Sequence, residues 1–256
     1  MKYEKKLTGN KLDQDTSFGF QQVNTEAHKK LVHNVFDSVA ERYNIMNDLM
    51  SGGLHRFWKK VALDRISPKR EQILLDVAGG TGDIANGFLR RGGGYAIVYD
   101  MNEKMLLTGL NNNLDHGNIN SPIIACGDAA AIPIRSGSLD ACTIVFGLRN
   151  VTDREAALKD MCRVLKIGGH FICIEFSPAV IGPLKKIYDA YSFNVIPWLG
   201  QNIAGDREAY QYLVESIRRF PQPAALTEEM LVAGFRNVTE TPLTGGIVFV
   251  HSGWRV

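Results

Sequence analysis

Residues 73–85 read ILLDVAGGTGDIA, an apolar run followed by a tight glycine turn. The apolar run, which ends at Val77, predicts a buried strand of a parallel sheet. Glycine lets the backbone turn sharply while a ligand lies against it, and the turn contains Gly79, Gly80 and Gly82. Helical residues resume at Ile84, so the first amide groups of that helix point at whatever fills the loop. The stretch therefore predicts a strand, a ligand-binding loop and a helix.

A second apolar strand, Ala96–Tyr99, ends in Asp100. An acid roughly 20 residues past a glycine loop can accept hydrogen bonds from both hydroxyls of a ribose. The segment Gly80–Ala85 also matches the dinucleotide pattern G-x-G-x-x-A, which alone is a weak signal. These features predict an adenosine-containing ligand. They leave open a nicotinamide or flavin dinucleotide, S-adenosylmethionine, and a turn that holds no ligand.

The composition is that of an ordinary globular protein. Apolar residues make up 45% and charged residues 22% of 256 residues, which predicts one large domain or one domain with an embellishment. A net charge of +2 without a polybasic run gives no reason to expect nucleic acid. The four cysteines lack C-x-x-C spacing, so we expect buried, reduced thiols and no metal site. No apolar run is long enough to span a membrane and the N-terminus lacks a secretory signal, so the expected location is the cytoplasm.

The chain divides into five segments. We expect a flexible arm over residues 1–24 and then a single domain over residues 25–256. Within that domain we predict a helical cap (25–70), a cofactor-binding core (71–176), a helical region that covers the substrate (177–232) and a terminal hairpin (233–256). Strands alternate with helices through the core, which predicts a parallel sheet with right-handed crossovers. The hairpin strands, Phe235–Thr241 and Ile247–Ser252, would add an antiparallel edge.

This architecture resembles the class I S-adenosylmethionine-dependent methyltransferases, which have a doubly wound, Rossmann-like sheet of seven mostly parallel strands with a reversed last strand. The resemblance implies that the loop packs against the methionine portion of the cofactor, that Asp100 binds the ribose and that Asp128 faces the adenine amino group. Carboxylates suit both tasks because they accept hydrogen bonds. The predicted cofactor-binding residues are Gly79, Gly80, Thr81, Gly82, Asp100, Met101, Asp128, Ala129 and Phe146.

Segments outside this core are more specific. Tyr43–Trp58, Phe146–Val151 and Arg163–Ser177 resemble signatures of the ubiquinone/menaquinone biosynthesis C-methyltransferases, as do residues 188–193 and 212–217. The implied reaction converts demethylmenaquinol to menaquinol, 2-polyprenyl-6-methoxy-1,4-benzoquinol to its 3-methyl product, or both. Three positions depart from the family pattern: Asn44, Val145 and Ile167.

Four residues are candidates for the chemistry. Arg149 and Asn150 leave the fourth core strand at its carboxyl end, where ligands meet such sheets. We hypothesise that Arg149 stabilises a developing phenolate or a water acting as base, and that Asn150 orients it. The alternative for Arg149 is a structural ion pair with a carboxylate. His55 and Tyr43 could touch the quinol head group or simply pack in the core.

Glu175 ends the fifth core strand and could take the ring proton or form a salt bridge. The aromatic residues after position 177 predict an apolar entrance for an isoprenoid tail. The implied partners are a polyprenylated quinol and a second copy of the chain or a quinone-synthesis complex, with peripheral contact to the inner membrane left open. Three other functions also stay open: an oxidoreductase, a methyltransferase for another acceptor, and a non-catalytic cofactor-binding subunit.

Overall fold

The computed structural model describes residues 15–115, 121–178, 180 and 184–256. The strands are β1 (Asp15–Phe18), β2 (Gln21–Asn24), β3 (Ile73–Val77), β4 (Tyr95–Asp100), β5 (Ile123–Cys126), β6 (Leu139–Val145), β7 (Leu165–Phe176), β8 (Phe235–Leu243) and β9 (Val248–Arg255). The α-helices are α1 (Thr25–Val39), α2 (Tyr43–Ser51), α3 (Leu54–Ile66), α4 (Asp83–Arg90), α5 (Glu103–Asp115), α6 (Arg154–Val164), α7 (Leu184–Ala190), α8 (Ile196–Leu199), α9 (Arg207–Arg219) and α10 (Pro223–Ala233).

Seven of these strands form one sheet in the order β5-β4-β3-β6-β7-β9-β8. Strands β3 to β7 pair in parallel, whereas β9 pairs antiparallel with β7 and with β8. This order confirms the predicted doubly wound sheet with a reversed last strand. The order along the chain reverses between β3 and β6, so the carboxyl ends of these two strands flank the crevice where such sheets bind ligands.

The apolar core lies on both faces of the sheet. Along β3, Leu74 packs with α3 and α4 on one face, whereas Leu75 and Val77 pack with α6 and α10 on the other. Burial on both faces explains why β3 is a nearly continuous apolar run. A third apolar cluster joins α1 and α2 to α8 and α9, through Val39, Met46, Ile196 and Tyr210 among others. This cluster holds the cap helices together.

Two predictions need correction. The described part of the expected arm, residues 15–24, is not irregular: β1 and β2 form an antiparallel hairpin. Phe18 stacks on Tyr212 of α9 at 4.0 Å between ring centroids, so a distant helix stabilises a polar segment that carries little local signal. Residues 1–14 of the arm lie outside the described residues. Cys126 is exposed rather than buried, because it ends the edge strand β5, whereas the other three cysteines are buried thiols.

Candidate functional site

The loop between β3 and α4 has backbone geometry that excludes most side chains. Gly80 and Gly82 have φ values of +55° and +80°, in the left-handed region. A Cβ atom at Gly79 would lie 2.8 Å from Oδ2 of Asp76 and 2.9 Å from Cγ1 of Val98, so only glycine fits there. Gly80 N donates to Oδ2 of Asp100 at 2.9 Å, which fixes the loop against the end of β4. The loop is therefore a rigid cradle open to a ligand.

A cavity at the carboxyl ends of β3, β4 and β6 collects most of the predicted cofactor residues. We call it the cofactor cavity; its lining includes Gly80, Asp100, Met101, Asp128, Ala129 and Phe146, together with Tyr43 and Asn150. Burial raises the pKa of Asp100, although backbone N–H groups of Asn102 and Gly80 donate to its carboxylate. The two oxygens of Asp100 keep further lone pairs that can accept hydrogen bonds from ribose hydroxyls.

Helix α1 belongs to the predicted helical cap and covers the cofactor cavity; its contacts with the cofactor residues were not predicted from the sequence. Nζ of Lys29 donates to Oδ2 of Asp128 at 2.6 Å, and Ala130 N donates to Oδ1 at 2.9 Å. Burial raises the pKa of Asp128, but these hydrogen bonds hold it below its usual value. Val32, His33 and Phe36 line the same cavity. The N-terminal helix thus forms one wall of the site.

A second cavity lies beneath the glycine loop. This glycine-loop cavity is lined by Gly79 and Thr81, with Tyr43, Lys59, Asp76 and Val145 among the others. Gly82 contributes to the loop differently, since it immediately precedes the first residue of α4. Among the side chains that the structure describes, Oδ2 of Asp76 is buried without a hydrogen-bond partner, while Oδ1 accepts from Thr143 at 2.8 Å. An unpartnered carboxylate oxygen beside a glycine cradle fits the ammonium group of a methionine moiety. Asp76 was missed from the sequence, although an acid within an apolar strand is itself a signal.

Asp76 leads to a prediction about pH. Burial raises the pKa of Asp76 to about 7, from an ordinary value near 3.8. Between about pH 4 and pH 7 the folded protein therefore holds a proton that the unfolded chain releases, so stability falls as the pH rises through this window, by at most about 1.4 kcal/mol per pH unit. We expect Asp76→Asn to remove this fall, because the amide is neutral and can still accept from Thr143. Urea unfolding at pH 5 and pH 7 gives the free energy of unfolding of wild type and variant. An equal pH dependence of this free energy in the two proteins would contradict the prediction.

A third, apolar cavity of about 340 Å³ adjoins the first two. Its volume lies in the range of small-molecule sites. This acceptor cavity is lined mainly by aromatic and aliphatic side chains, including Trp58, Phe176, Tyr188, Tyr191 and Ile217. Tyr43 lines all three cavities, and Phe146 lines the cofactor and acceptor cavities. Phe146 has a φ of +61°, a strained value for a non-glycine residue, which is common at functional sites.

His55 is buried in the wall of the acceptor cavity. Burial lowers its pKa, so the ring is neutral near pH 7. Oγ of Ser51 donates to the carbonyl of Asn47 and lies 3.0 Å from Nδ1 of His55. In the tautomer with the proton on Nδ1, this nitrogen donates to Ser51. Nε2 then keeps its lone pair, 3.6 Å from the carboxylate of Asp48. This arrangement suits a base whose cationic form a nearby carboxylate stabilises.

Arg149 lies outside the linings of all three cavities. Its Nη1 donates to Glu175 at 2.9 Å and to the carbonyl of Phe146 at 2.5 Å, and both charged side chains are buried. Arg149 and Glu175 therefore form a structural ion pair, the alternative stated in the sequence analysis. The hydrogen bond from Arg149 to the carbonyl of Phe146 also fixes the backbone at Phe146.

Asn150 lines the cofactor cavity. Its side chain accepts a hydrogen bond from the hydroxyl of Tyr212 at 3.0 Å, and its Nδ2 is buried and unpartnered among the described groups.

The positions that depart from the family pattern have different surroundings. Val145 lines the glycine-loop cavity, so this departure changes the wall of the site. Ile167 is 81% exposed and lies outside the linings of the three cavities. The side chain of Asn44 lies outside the part of the chain that the structure describes.

Comparison with known proteins decides the family. The model of the ubiE/COQ5 methyltransferase family matches residues 22–255. The chain belongs to this family. It is 50% identical to the ubiquinone/menaquinone biosynthesis C-methyltransferase UbiE of Methylobacterium nodulans, over 94% of this chain and 97% of that protein. It is 46% identical to the UbiE protein of Yersinia enterocolitica, over 94% and 96%.

Solved structures share the fold of this ubiE/COQ5 methyltransferase family member at low identity. A SAM-dependent methyltransferase from Thermotoga maritima has a TM-score of 0.61 at 20% identity, covering 88% of this chain and all (100%) of that one. Another, from Aquifex aeolicus, has a TM-score of 0.59 at 16% identity, over 83% and 98%. These matches confirm the predicted class I methyltransferase fold. Family and fold together imply S-adenosylmethionine rather than a dinucleotide, in agreement with the cavity residues.

Proposed function

We propose that this chain is an S-adenosylmethionine-dependent C-methyltransferase that acts on a ring carbon of a polyprenylated quinol in ubiquinone or menaquinone biosynthesis. The single observation that carries the proposal is the junction at Tyr43 and Phe146, where an apolar acceptor cavity meets the cofactor cavity. At this junction, a quinol ring in the acceptor cavity can reach a methyl donor in the cofactor cavity. The family and the curated relatives support the same reaction.

The chain has three tasks in this reaction: it aligns the reacting atoms, it helps a phenolic proton to leave, and it excludes water. Bound S-adenosylmethionine supplies a methyl group on a sulfonium sulfur. The electron pair of the quinol ring carbon would form the new carbon–carbon bond as the carbon–sulfur bond breaks with its pair on sulfur. The ring proton would then pass to solvent, which restores aromaticity, and the proton held by His55 would return to the oxygen. Asp100 would hold the ribose, Asp128 the adenine and Asp76 the ammonium group.

His55 is our proposal for the base that takes the phenolic proton. In the tautomer protonated at Nδ1, Nε2 has a free lone pair. Asp48, which Arg56 holds through hydrogen bonds of 2.5 and 2.7 Å, would stabilise the resulting imidazolium. Tyr43 and Asn150 would position the substrates at the junction. Arg149 would act indirectly, by fixing Phe146 through its carbonyl.

The quinone profile of cells that lack this protein tests the proposed function. We expect demethylated quinone precursors to accumulate and the wild-type gene to restore the methylated product. Unchanged quinones would contradict the proposal. They would favour a methyltransferase for another lipophilic acceptor, or a cofactor-binding subunit without activity.

Among the described residues no helix is both long and apolar enough to cross a membrane. We propose instead that the mouth of the acceptor cavity rests on an anionic lipid surface. Leu49 and Leu54 line this cavity and are 44% and 42% exposed, and the nearby exposed apolar side chains are Ile45, Phe57, Val195 and Trp198. Exposed positive charge comes from Arg42, directly before α2, and from Arg56 of α3, which pairs with Asp48. Apolar residues mixed with cations suit an anionic bilayer surface.

Vesicle binding tests this contact. We expect the double variant Phe57→Ser with Trp198→Ser to bind vesicles with anionic lipid at least tenfold more weakly, since burying each ring contributes roughly 1.5–3 kcal/mol. Leu107→Ser with Leu114→Ser is the control, because these apolar residues of α5 are exposed to a similar extent, 46% and 67% against 51% for Phe57 and 57% for Trp198. Equal binding by the two double variants would contradict the proposal.

The family resemblance also implies a second copy of the chain or a quinone-synthesis complex. This assembly stays an expectation; sedimentation equilibrium measures the mass of the assembly and so tests it.

A further inference from the structure

Lys59 stands where the donor and acceptor sites meet. It lies one turn after His55 on α3 and lines both the glycine-loop cavity and the acceptor cavity. Its side chain is only 17% exposed, and Nζ donates to Oδ2 of Asp83 at 2.6 Å. Asp83 is the first residue of α4, directly after the glycine loop. The ammonium group is therefore held in place beside the loop. Asp83 is its one hydrogen-bond partner among the described residues, which leaves two of its three N–H groups for other partners.

Lys59 is also the cation available to the acceptor. Of the lysine and arginine residues that the structure describes, Lys59 alone lines the acceptor cavity. Arg149 lies outside that lining, where it is bound to Glu175 and to the carbonyl of Phe146. A neutral apolar cavity would disfavour the negative charge that a phenol gains when it loses its proton. A single fixed ammonium in its wall compensates for that cost.

The groups that face Lys59 keep it charged. Burial lowers its pKa, but Asp83 of α4, Tyr43 of α2 and Asp76 of β3 together hold the pKa above its usual value. His55, on the same helix, is a neutral neighbour because its own pKa is lowered, first by burial and then by Lys59. Lys59 is therefore an electrostatic group at neutral pH and not a base.

We propose that Lys59 is a catalytic residue whose ammonium group binds the ionising oxygen of the acceptor and stabilises the phenolate, while Asp83 positions that ammonium group. The phenolic proton passes to Nε2 of His55, and the electron pair left on oxygen makes the ring carbon nucleophilic. This role rests on the proposed function, since it requires a phenolic acceptor. We expect Lys59→Met to lower kcat roughly 100-fold, in the range found for the loss of one group that stabilises developing charge.

The decisive test does not depend on turnover. 4-Nitrophenol is a phenol whose anion absorbs visible light, so its ionisation can be titrated while bound to protein saturated with S-adenosylhomocysteine. We expect wild type to favour the bound anion by about tenfold, which lowers the pKa of the bound phenol by about one unit. Lys59→Met should abolish this shift, and Lys59→Arg should restore part of it. Lys60→Met is the matched control, because Lys60 is an exposed neighbour on α3 that pairs with Asp64.

Two results would overturn the proposal. The first is the same phenol ionisation in Lys59→Met as in wild type; if this variant also binds S-adenosylhomocysteine tenfold more weakly, Lys59 belongs to the donor site. The second is no binding of the phenol, or no shift in its ionisation, in wild type. If Lys59→Met does not fold, the same measurements are made on Lys59→Gln. Failure of the proposed function would appear separately, as absent methyl transfer to quinols by a wild type that still shifts the phenol.

Discussion

Asp100→Asn is expected to weaken the binding of S-adenosylhomocysteine by roughly 10- to 100-fold, since a hydrogen bond to a charged group contributes about 1.5–3 kcal/mol. Both oxygens of Asp100 accept backbone hydrogen bonds, Oδ2 from Gly80 N at 2.9 Å and Oδ1 from Asn102 N at 2.8 Å. An amide has one oxygen, so its NH₂ group faces a backbone N–H in either orientation. The substitution therefore disturbs the glycine loop and removes an acceptor from the ribose.

Isothermal titration calorimetry measures this effect. Asp64→Asn is the control, because Asp64 lies on the exposed side of α3 and pairs with Lys60 and Arg91. A loss of less than threefold in Asp100→Asn, or an equal loss in the control, would show that Asp100 does not bind the donor.

Phe171→Ala is expected to destabilise the fold by about 3–5 kcal/mol, the usual cost of removing a buried aromatic side chain. Phe171 is fully buried on β7, which lies between β6 and β9 in the sheet. Its ring stacks on Phe235 of β8 at 4.6 Å between centroids. Truncation leaves a cavity that the surrounding strands can fill only in part.

Urea unfolding gives the free energy for this variant. Ile167→Ala is the matched control on the same strand, because Ile167 is 81% exposed and its loss should change stability by no more than about 0.5 kcal/mol. Similar costs for the two variants would mean that β7 does not carry the core as described.

The sheet and the glycine loop could be predicted from the sequence because their signals are local. The apolar run of β3, the glycines after it and the acid that ends β4 each follow from neighbouring residues. The reversed β9 followed from a short turn between two final strands. Local signals of this kind place the carboxyl ends of the strands, and with them Asp100 and Asp128.

Contacts between distant segments could not be predicted in this way. Lys29 and Asp128 are 99 residues apart, and Phe20 N donates to Glu215 across 195 residues. The N-terminal hairpin has short polar strands, so its order depends on packing against α9, which no local pattern shows.

Asp76 and Arg149 illustrate the limits of assigning roles by residue type. Asp76 is an acid inside an apolar strand, but the strand pattern alone assigns it no role, because the stronger local signal is the glycine turn that follows. Arg149 attracted a catalytic hypothesis because it leaves β6 at the carboxyl end of the sheet, yet its guanidinium is turned toward Glu175. Side-chain direction at a strand end depends on neighbouring strands, and Glu175 belongs to β7.

Transfer of a labelled methyl group tests the proposed reaction most directly. The purified protein would be incubated with methyl-labelled S-adenosylmethionine and either demethylmenaquinol or 2-polyprenyl-6-methoxy-1,4-benzoquinol, both kept reduced. We predict that label appears on a ring carbon of at least one quinol and that Asp100→Asn loses this transfer at limiting donor. Binding of S-adenosylhomocysteine without label in either quinol would contradict the assignment of the acceptor.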